Sequence, residues 1–228
     1  MTKPISRLTV KLKTAKGRKL SSQQWLLRQL NDPYVRKAQA EGYRSRAAYK
    51  LTEILEKYPF IKAGHRVADL GAAPGGWTQV LSKHVGIERK GQVIALDLLP
   101  MPELPHVTFI QGDFTDAAVY DQLEALLDAP LDSVLTDMSP QTSGHPATDH
   151  LRIIGLVEEA LDFACHHLRP GGSFVAKVFQ GGAQGDLLER VKRDFTRVVH
   201  MKPKASRKNS PEMYLIALGF KGKKNMSL

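Results

Sequence analysis

The sequence predicts a doubly wound α/β domain, with helices on both faces of a seven-stranded sheet and a small helical annex ahead of it. Three observations lead there. Short β-rich runs alternate with helical stretches from Arg66 onward, and a glycine-rich turn closes the first of those runs. At 228 residues, with 42% hydrophobic and 25% charged, the chain has the size and composition of one ample domain that buries a core.

Each element has its own signal. Ser21 to Leu30 sets Trp25, Leu26, Leu27 and Leu30 near helical spacing and stops at Asn31-Asp32-Pro33. A second helical stretch, Val35 to Ala40, ends at Gly42. A third follows Ser45, a good N-cap residue, and aligns Ala48, Leu51, Ile54 and Leu55 on one face. Strands are read at Val67 to Leu70, Gln92 to Asp97, Val107 to Gln111, Leu131 to Asp137, Ser173 to Val178, Val198 to Met201 and Tyr214 to Leu218. Helices are read at Gly76 to Val85, Tyr120 to Leu127, His150 to Leu168 and Asp186 to Phe195. This alternation implies a parallel sheet whose ligands bind beyond the carboxyl ends of the strands. The expected organisation is a basic flexible arm at 1–20, the annex at 21–62, the main domain at 63–220 and a basic tail at 221–228.

The net charge of +10 is unevenly spread: residues 1–50 carry +11, residues 51–189 carry −10 and residues 190–228 carry +9. Two basic ends around an acidic middle make a polyanion footprint, with nucleic acid the leading partner. The arm from Thr2 to Leu20 has no acid, and its five Lys against two Arg speak for a nucleic-acid arm over an organellar transit peptide. The single cysteine, Cys165, cannot form an internal disulfide, so a reducing cytoplasm is expected. No apolar run approaches a membrane span, and no membrane association is expected.

The first strand runs into Asp69-Leu70-Gly71-Ala72-Ala73-Pro74-Gly75-Gly76-Trp77. Small residues at a strand-to-helix turn let a ligand approach the backbone closely. Glycines at 71, 75 and 76 do not match G-x-G-x-x-G, and no Gly-Lys-Ser/Thr ends a Walker loop. That disfavours a nicotinamide-dependent oxidoreductase. Asp97 ends the second strand, where it could accept from both hydroxyls of a ribose, and Asp113 ends the third, where it could meet an adenine amino group. Acids at consecutive strand ends without a phosphate loop suit adenosylmethionine.

Further segments carry a resemblance: Ser45-Arg46-Ala47-Ala48-Tyr49-Lys50-Leu51, Asp137-Met138-Ser139-Pro140, Ala176-Lys177-Val178-Phe179-Gln180-Gly181, and Ser206-Arg207 leading to Ser210-Pro211-Glu212-Met213-Tyr214. With Asp69 to Trp77, over about residues 21 to 220, the chain resembles the FtsJ family of ribose 2′-O-methyltransferases of large-subunit ribosomal RNA. The resemblance implies a class I adenosylmethionine-dependent methyltransferase with a Rossmann-like sheet. It implies a catalytic tetrad at Lys50, Asp137, Lys177 and Glu212, and a cofactor site near Gly75, Trp77, Asp97, Asp113 and Asp137. It points to a uridine of the peptidyl-transferase region, on the assembled subunit, and to a monomeric enzyme.

A ribose hydroxyl is a weak acid, so attack on a sulfonium methyl needs close positioning and a route for the proton. Lys177 is the candidate for that route, because a partly desolvated lysine beside a second cation, Lys50, can lose its proton more easily. Asp137 would orient it, and Glu212 would bind one of the lysines, although Pro211 constrains the backbone just before it.

Other acceptors fit less well. Asp137-Met138-Ser139-Pro140 lacks the aromatic clamp of amino-nitrogen methyltransferases, and Cys165 lies in a helix as a packing residue, away from the role of a pyrimidine C5 nucleophile. His166 and His167 have no partners at metal-ligand spacing, so no metal is expected. The rival class is an RNA-binding ribosome-assembly factor, which has no need of the tetrad.

Overall fold

The computed structural model describes residues 20–86, 90–139, 144–179 and 185–222. Seven strands form one sheet in the order β3-β2-β1-β4-β5-β7-β6, built from β1 (Arg66–Leu70), β2 (Gln92–Asp97), β3 (Val107–Gln111), β4 (Leu131–Thr136), β5 (Leu168–Phe179), β6 (Phe195–Met201) and β7 (Glu212–Phe220). The helices are α1 (Leu20–Leu30), α2 (Pro33–Glu41), α3 (Ala47–Lys57), α4 (Gly76–Val85), α5 (Ala117–Ala125), α6 (Pro146–His167) and α7 (Gly185–Asp194). The basic arm, apart from Leu20, and most of the tail lie outside the described residues, as do Pro140, Gln180 and Gly181 of the motifs.

The expected all-parallel sheet is corrected at one strand. β7 inserts between β5 and β6 and runs antiparallel to both. The reason is connection length: the short link from β6 to β7 holds no helix, and a parallel return needs a crossover of a dozen or more residues. β5 also starts at Leu168, five residues ahead of the expected Ser173, because Arg169-Pro170-Gly171-Gly172 continues the strand across an irregularity beside β4. α5 and α6 start earlier than expected. Asp116 caps α5 by accepting from the Ala118 N–H at 2.8 Å, and Pro146 opens α6.

Strand alternation feeds two cores. Ala68, Ile94, Val134 and Phe174 face the cluster under α5, α6 and α7, whereas their neighbours Val67, Val93, Leu135 and Val175 face the cluster with α3 and α4. α3 buries Ala48, Leu51, Ile54 and Leu55 in the second cluster, as its spacing predicts. At roughly 2 kcal/mol per buried Leu or Ile, this face holds the helix to the sheet. α2 is capped by Asp32 and stopped by Gly42 at φ +75°, whose N–H reaches the Ala38 and Gln39 carbonyls. Ser45 is not the cap of α3. Arg46 holds that position without a side-chain capping bond, and the Ser45 hydroxyl is buried against Gly76 with no hydrogen-bond partner among the described residues.

Candidate active site

The carboxyl ends of β1, β2, β3 and β4 open onto a cleft of about 260 Å³ lined by Gly71, Ala73, Asp97, Asp113, Asp137 and Met138 among others. Asp97 is fixed at its rim. One carboxylate oxygen accepts from Ala73 N at 2.9 Å and the other from Leu99 N at 2.8 Å, and each retains a lone pair for a ligand hydroxyl. Asp113 uses Oδ1 to accept from the Thr115 backbone and hydroxyl, at 2.9 and 2.8 Å. Gly71, at φ +81°, packs directly against Met138, whose Cγ, N and Cα would lie 2.7, 2.8 and 2.9 Å from an added Cβ, so the turn needs glycine there. Gly75 and Trp77 are not among the lining residues. Gly75 forms the αL entry to α4 under Arg44, and Trp77 is buried, donating its indole N–H to Ala47 O at 2.9 Å and packing on Tyr214 at 5.4 Å between ring centroids.

A second groove, of about 740 Å³, lies on the other side of Lys50 and is lined by Arg28, Arg46, Arg207, Lys208 and Glu212 among others. Between the two lies a compact charged cluster. Lys50 Nζ is 3.1 Å from Glu212 Oε2 and 3.9 Å from Asp137 Oδ2. Lys177 Nζ donates to the Asp137 carbonyl at 2.6 Å and lies 3.2 Å from Asp137 Oδ1. Asp137 lines the cleft, and Lys50 and Glu212 line the groove, so the ion-paired residues form the wall where the two meet.

Backbone pairing explains the placement. Asp137 follows the last residue of β4, its N–H bonded to Leu70 O at 3.2 Å. Lys177 of β5 stands opposite Tyr214 of β7, and Glu212, two residues from Tyr214, projects on the same face. Pro211 does not displace it: Glu212 N donates to Ser210 Oγ at 3.2 Å and its carboxylate reaches Lys50. The sequence reading brought these four residues together but gave no role to Tyr214, whose buried hydroxyl donates to Asp137 Oδ1 at 2.8 Å. Its period-two spacing from Glu212 was the available signal. The reading also missed Asp32, a buried acid 2.9 Å from Arg46 Nη1 and 3.4 Å from Arg207 Nε, which ties α2 to the loop before β7.

The electrostatics follow from burial and pairing. Burial would raise the Asp137 carboxyl, but Lys177, Lys50 and the hydrogen bonds from Tyr214 and Lys177 outweigh it and hold the group below the ordinary carboxylate range. Burial and the charges of Asp137 and Glu212 push the Tyr214 phenol well up, so it remains a donor.

Asp69 behaves in the opposite way. It is fully buried, accepts from Thr78 Oγ1 at 2.7 Å, has no partner for its other oxygen among the described residues, and is pushed up to about 7 by burial. A carboxyl raised in the folded state favours folding at low pH, and that advantage is lost as pH rises from the unfolded value near 4 through about 7. Asp69→Asn should therefore gain melting temperature relative to wild type at pH 8 compared with pH 5. An equal difference at both pH values would show that Asp69 is ionised throughout.

The sheet and the carboxylate-lined cleft at its carboxyl edge define a Rossmann-like α/β domain suited to a nucleoside ligand. Residues 43–220 match the family model of FtsJ-like methyltransferases. A protein of Rhodopseudomonas palustris (strain BisA53) named ribosomal RNA large subunit methyltransferase E is 57% identical over 95% of this chain and 92% of its own length. A Nitrobacter hamburgensis protein of the same name is also 57% identical, over 95% of both chains. A crystal structure of a presumptive ribosomal RNA methyltransferase from Plasmodium falciparum superposes with a TM-score of 0.70 at 32% identity, over 79% of this chain and 100% of that one. The chain belongs to the FtsJ-like methyltransferase family.

Proposed function

We propose that this protein transfers a methyl group from adenosylmethionine to a ribose 2′-hydroxyl of large-subunit ribosomal RNA. The observation that carries the reading is the shared wall: Lys50, Asp137, Lys177 and Glu212 stand between a carboxylate-lined cleft and a basic groove. The relatives named as large-subunit ribosomal RNA methyltransferases support the substrate class. In this reading the target is a uridine of the peptidyl-transferase region on the assembled subunit, and the enzyme acts as a monomer in the cytoplasm. No helix among the described residues is long and apolar enough to cross a membrane.

The cleft fits the cofactor. Asp97 offers carboxylate lone pairs to a ribose, Asp113 lies at the end of the next strand for a base amino group, and Gly71 and Ala73 line the cleft with little or no side chain. When bound there, adenosylmethionine supplies an electrophilic methyl on sulfur. Lys177 Nζ is the group placed to take the proton that the 2′-hydroxyl gives up as the methyl transfers. The resulting ammonium is held at once by two acceptors, the Asp137 carbonyl at 2.6 Å and Oδ1 at 3.2 Å. Lys50, fixed by Glu212, orients the hydroxyl from the groove side. Tyr214 holds the Asp137 carboxylate in place.

The test is transfer of labelled methyl from adenosylmethionine to large-subunit particles that lack their own ribose methylations. Label in the large-subunit RNA is expected. Its absence despite tight binding of cofactor and particle would favour an assembly factor. The groove makes a separate prediction: Lys208→Ala should weaken RNA binding across sequences and reduce the slope of log affinity against log salt by about one, with cofactor affinity unchanged. An unaltered slope would remove Lys208 from the RNA contact.

A further inference from the structure

We propose that Arg44 is a positioning residue for the cofactor cleft, acting as a forked strut that holds the Leu98–Glu103 wall in place and making no contact with RNA. The inference rests on the reading above that this cleft takes adenosylmethionine.

Arg44 follows the turn that ends α2. Gln79 of α4 grips that turn with both ends of its amide, accepting from Arg44 N at 2.8 Å and donating to Gly42 O at 3.0 Å. From this base the guanidinium passes over Gly75, where an added Cβ would lie 2.7 Å from Nη1. It then donates from Nη1 to Pro102 O and from Nη2 to Glu103 O, both at 2.7 Å, with Pro74 O at 3.5 Å from Nη1. Carbonyls of two successive residues thus receive one planar fork, a geometry that arginine supplies and lysine does not.

The first residues of the held segment wall the cleft, while Pro102 and Glu103 anchor the segment's far end. Leu98 and Leu99 line the cleft while remaining 62% and 65% exposed, so packing alone holds them weakly. Other ties of this segment include the Asp97 bond to Leu99 N, the Gln111 amide donating to Leu98 O at 3.3 Å, the Thr78 hydroxyl on Met101 Sδ at 3.9 Å and the small cluster of Met101 with Ala72 and Ala95. Arg44 is basic and adjoins the groove, which its neighbour Ser45 and its contact Pro74 line, yet it is not itself among the lining residues. Its donors face protein carbonyls.

The experiment compares wild type, Arg44→Lys and Arg44→Ala by calorimetric titration with adenosylmethionine and by binding to a large-subunit ribosomal RNA fragment, together with steady-state kinetics. Both variants should weaken adenosylmethionine by about tenfold, raising its KM with kcat at saturation retained, and should leave RNA affinity within about twofold. Arg44→Lys separates the alternatives because it keeps the charge and loses the fork. Wild-type cofactor affinity in Arg44→Lys would overturn the inference, as would RNA affinity lost in Arg44→Ala and restored in Arg44→Lys. Wild type failing to bind adenosylmethionine would instead overturn the reading of the cleft, and the inference with it.

Discussion

Lys177→Ala is expected to lower methyl transfer by about a thousandfold while leaving adenosylmethionine affinity near that of wild type. The argument is geometric. Lys177 is 4% exposed, it lines neither the cleft nor the groove, and both its bonds go to Asp137 on the wall between them. A lysine in a central strand is costly to bury, and its apolar neighbours Val175, Ala176 and Val178 show that the surrounding strand is otherwise core. Removing the amine takes away the proton's destination but none of the groups that line the cleft. Asp137 keeps Lys50 and Tyr214 as partners, so the wall should stand. Single-turnover transfer and calorimetry on the same preparation check this, and an equal loss of both would make Lys177 a structural residue.

The second large effect is expected at Asp137→Asn, which should lose transfer and also about 3 kcal/mol of stability in urea unfolding. Two buried lysine amino groups lie 3.2 and 3.9 Å from its carboxylate, and Glu212 pairs with Lys50 and not with Lys177. Breaking a buried pair leaves a charge uncompensated, and here one substitution leaves two lysines facing each other with a single acid. The pH dependence has a definite sign. The Asp137 carboxyl is held below its ordinary value, so its contribution is present above the unfolded carboxylate range and is lost as pH falls through the lower folded value. Stability of the asparagine variant should therefore fall less steeply than wild type on the acid side. A parallel acid limb, or stability within about 0.5 kcal/mol of wild type, would place the balancing charge elsewhere.

The fold was legible because its signals are local. The stripe of Ala48, Leu51, Ile54 and Leu55, the β-rich run at Gln92 to Asp97 and the turn at Gly71 to Gly76 each declare their structure within a few residues. The direction of β7 was not, because its run of apolar residues reads identically in either orientation and only the short link from β6 decides. At the site, Lys50, Asp137, Lys177 and Glu212 are proposed from motifs, and the contacts that bring them together depend on register across four elements. Tyr214 escaped because a buried aromatic residue in a strand reads as core, which it also is. Asp32 and Arg44 escaped for a related reason. An acid before a proline reads as a cap, and an arginine in a basic annex reads as a phosphate contact, whereas their partners lie on segments far away in sequence.

The most direct measurement is where on the nucleotide the label ends up. After transfer of labelled methyl to large-subunit particles, the RNA is digested with alkali, which cleaves through the free 2′-hydroxyl and spares a linkage whose hydroxyl is methylated. The wall of Lys50, Asp137, Lys177 and Glu212 predicts label in an alkali-resistant dinucleotide from a single position. Label in an ordinary mononucleotide, carried on the base, would contradict ribose chemistry at that wall.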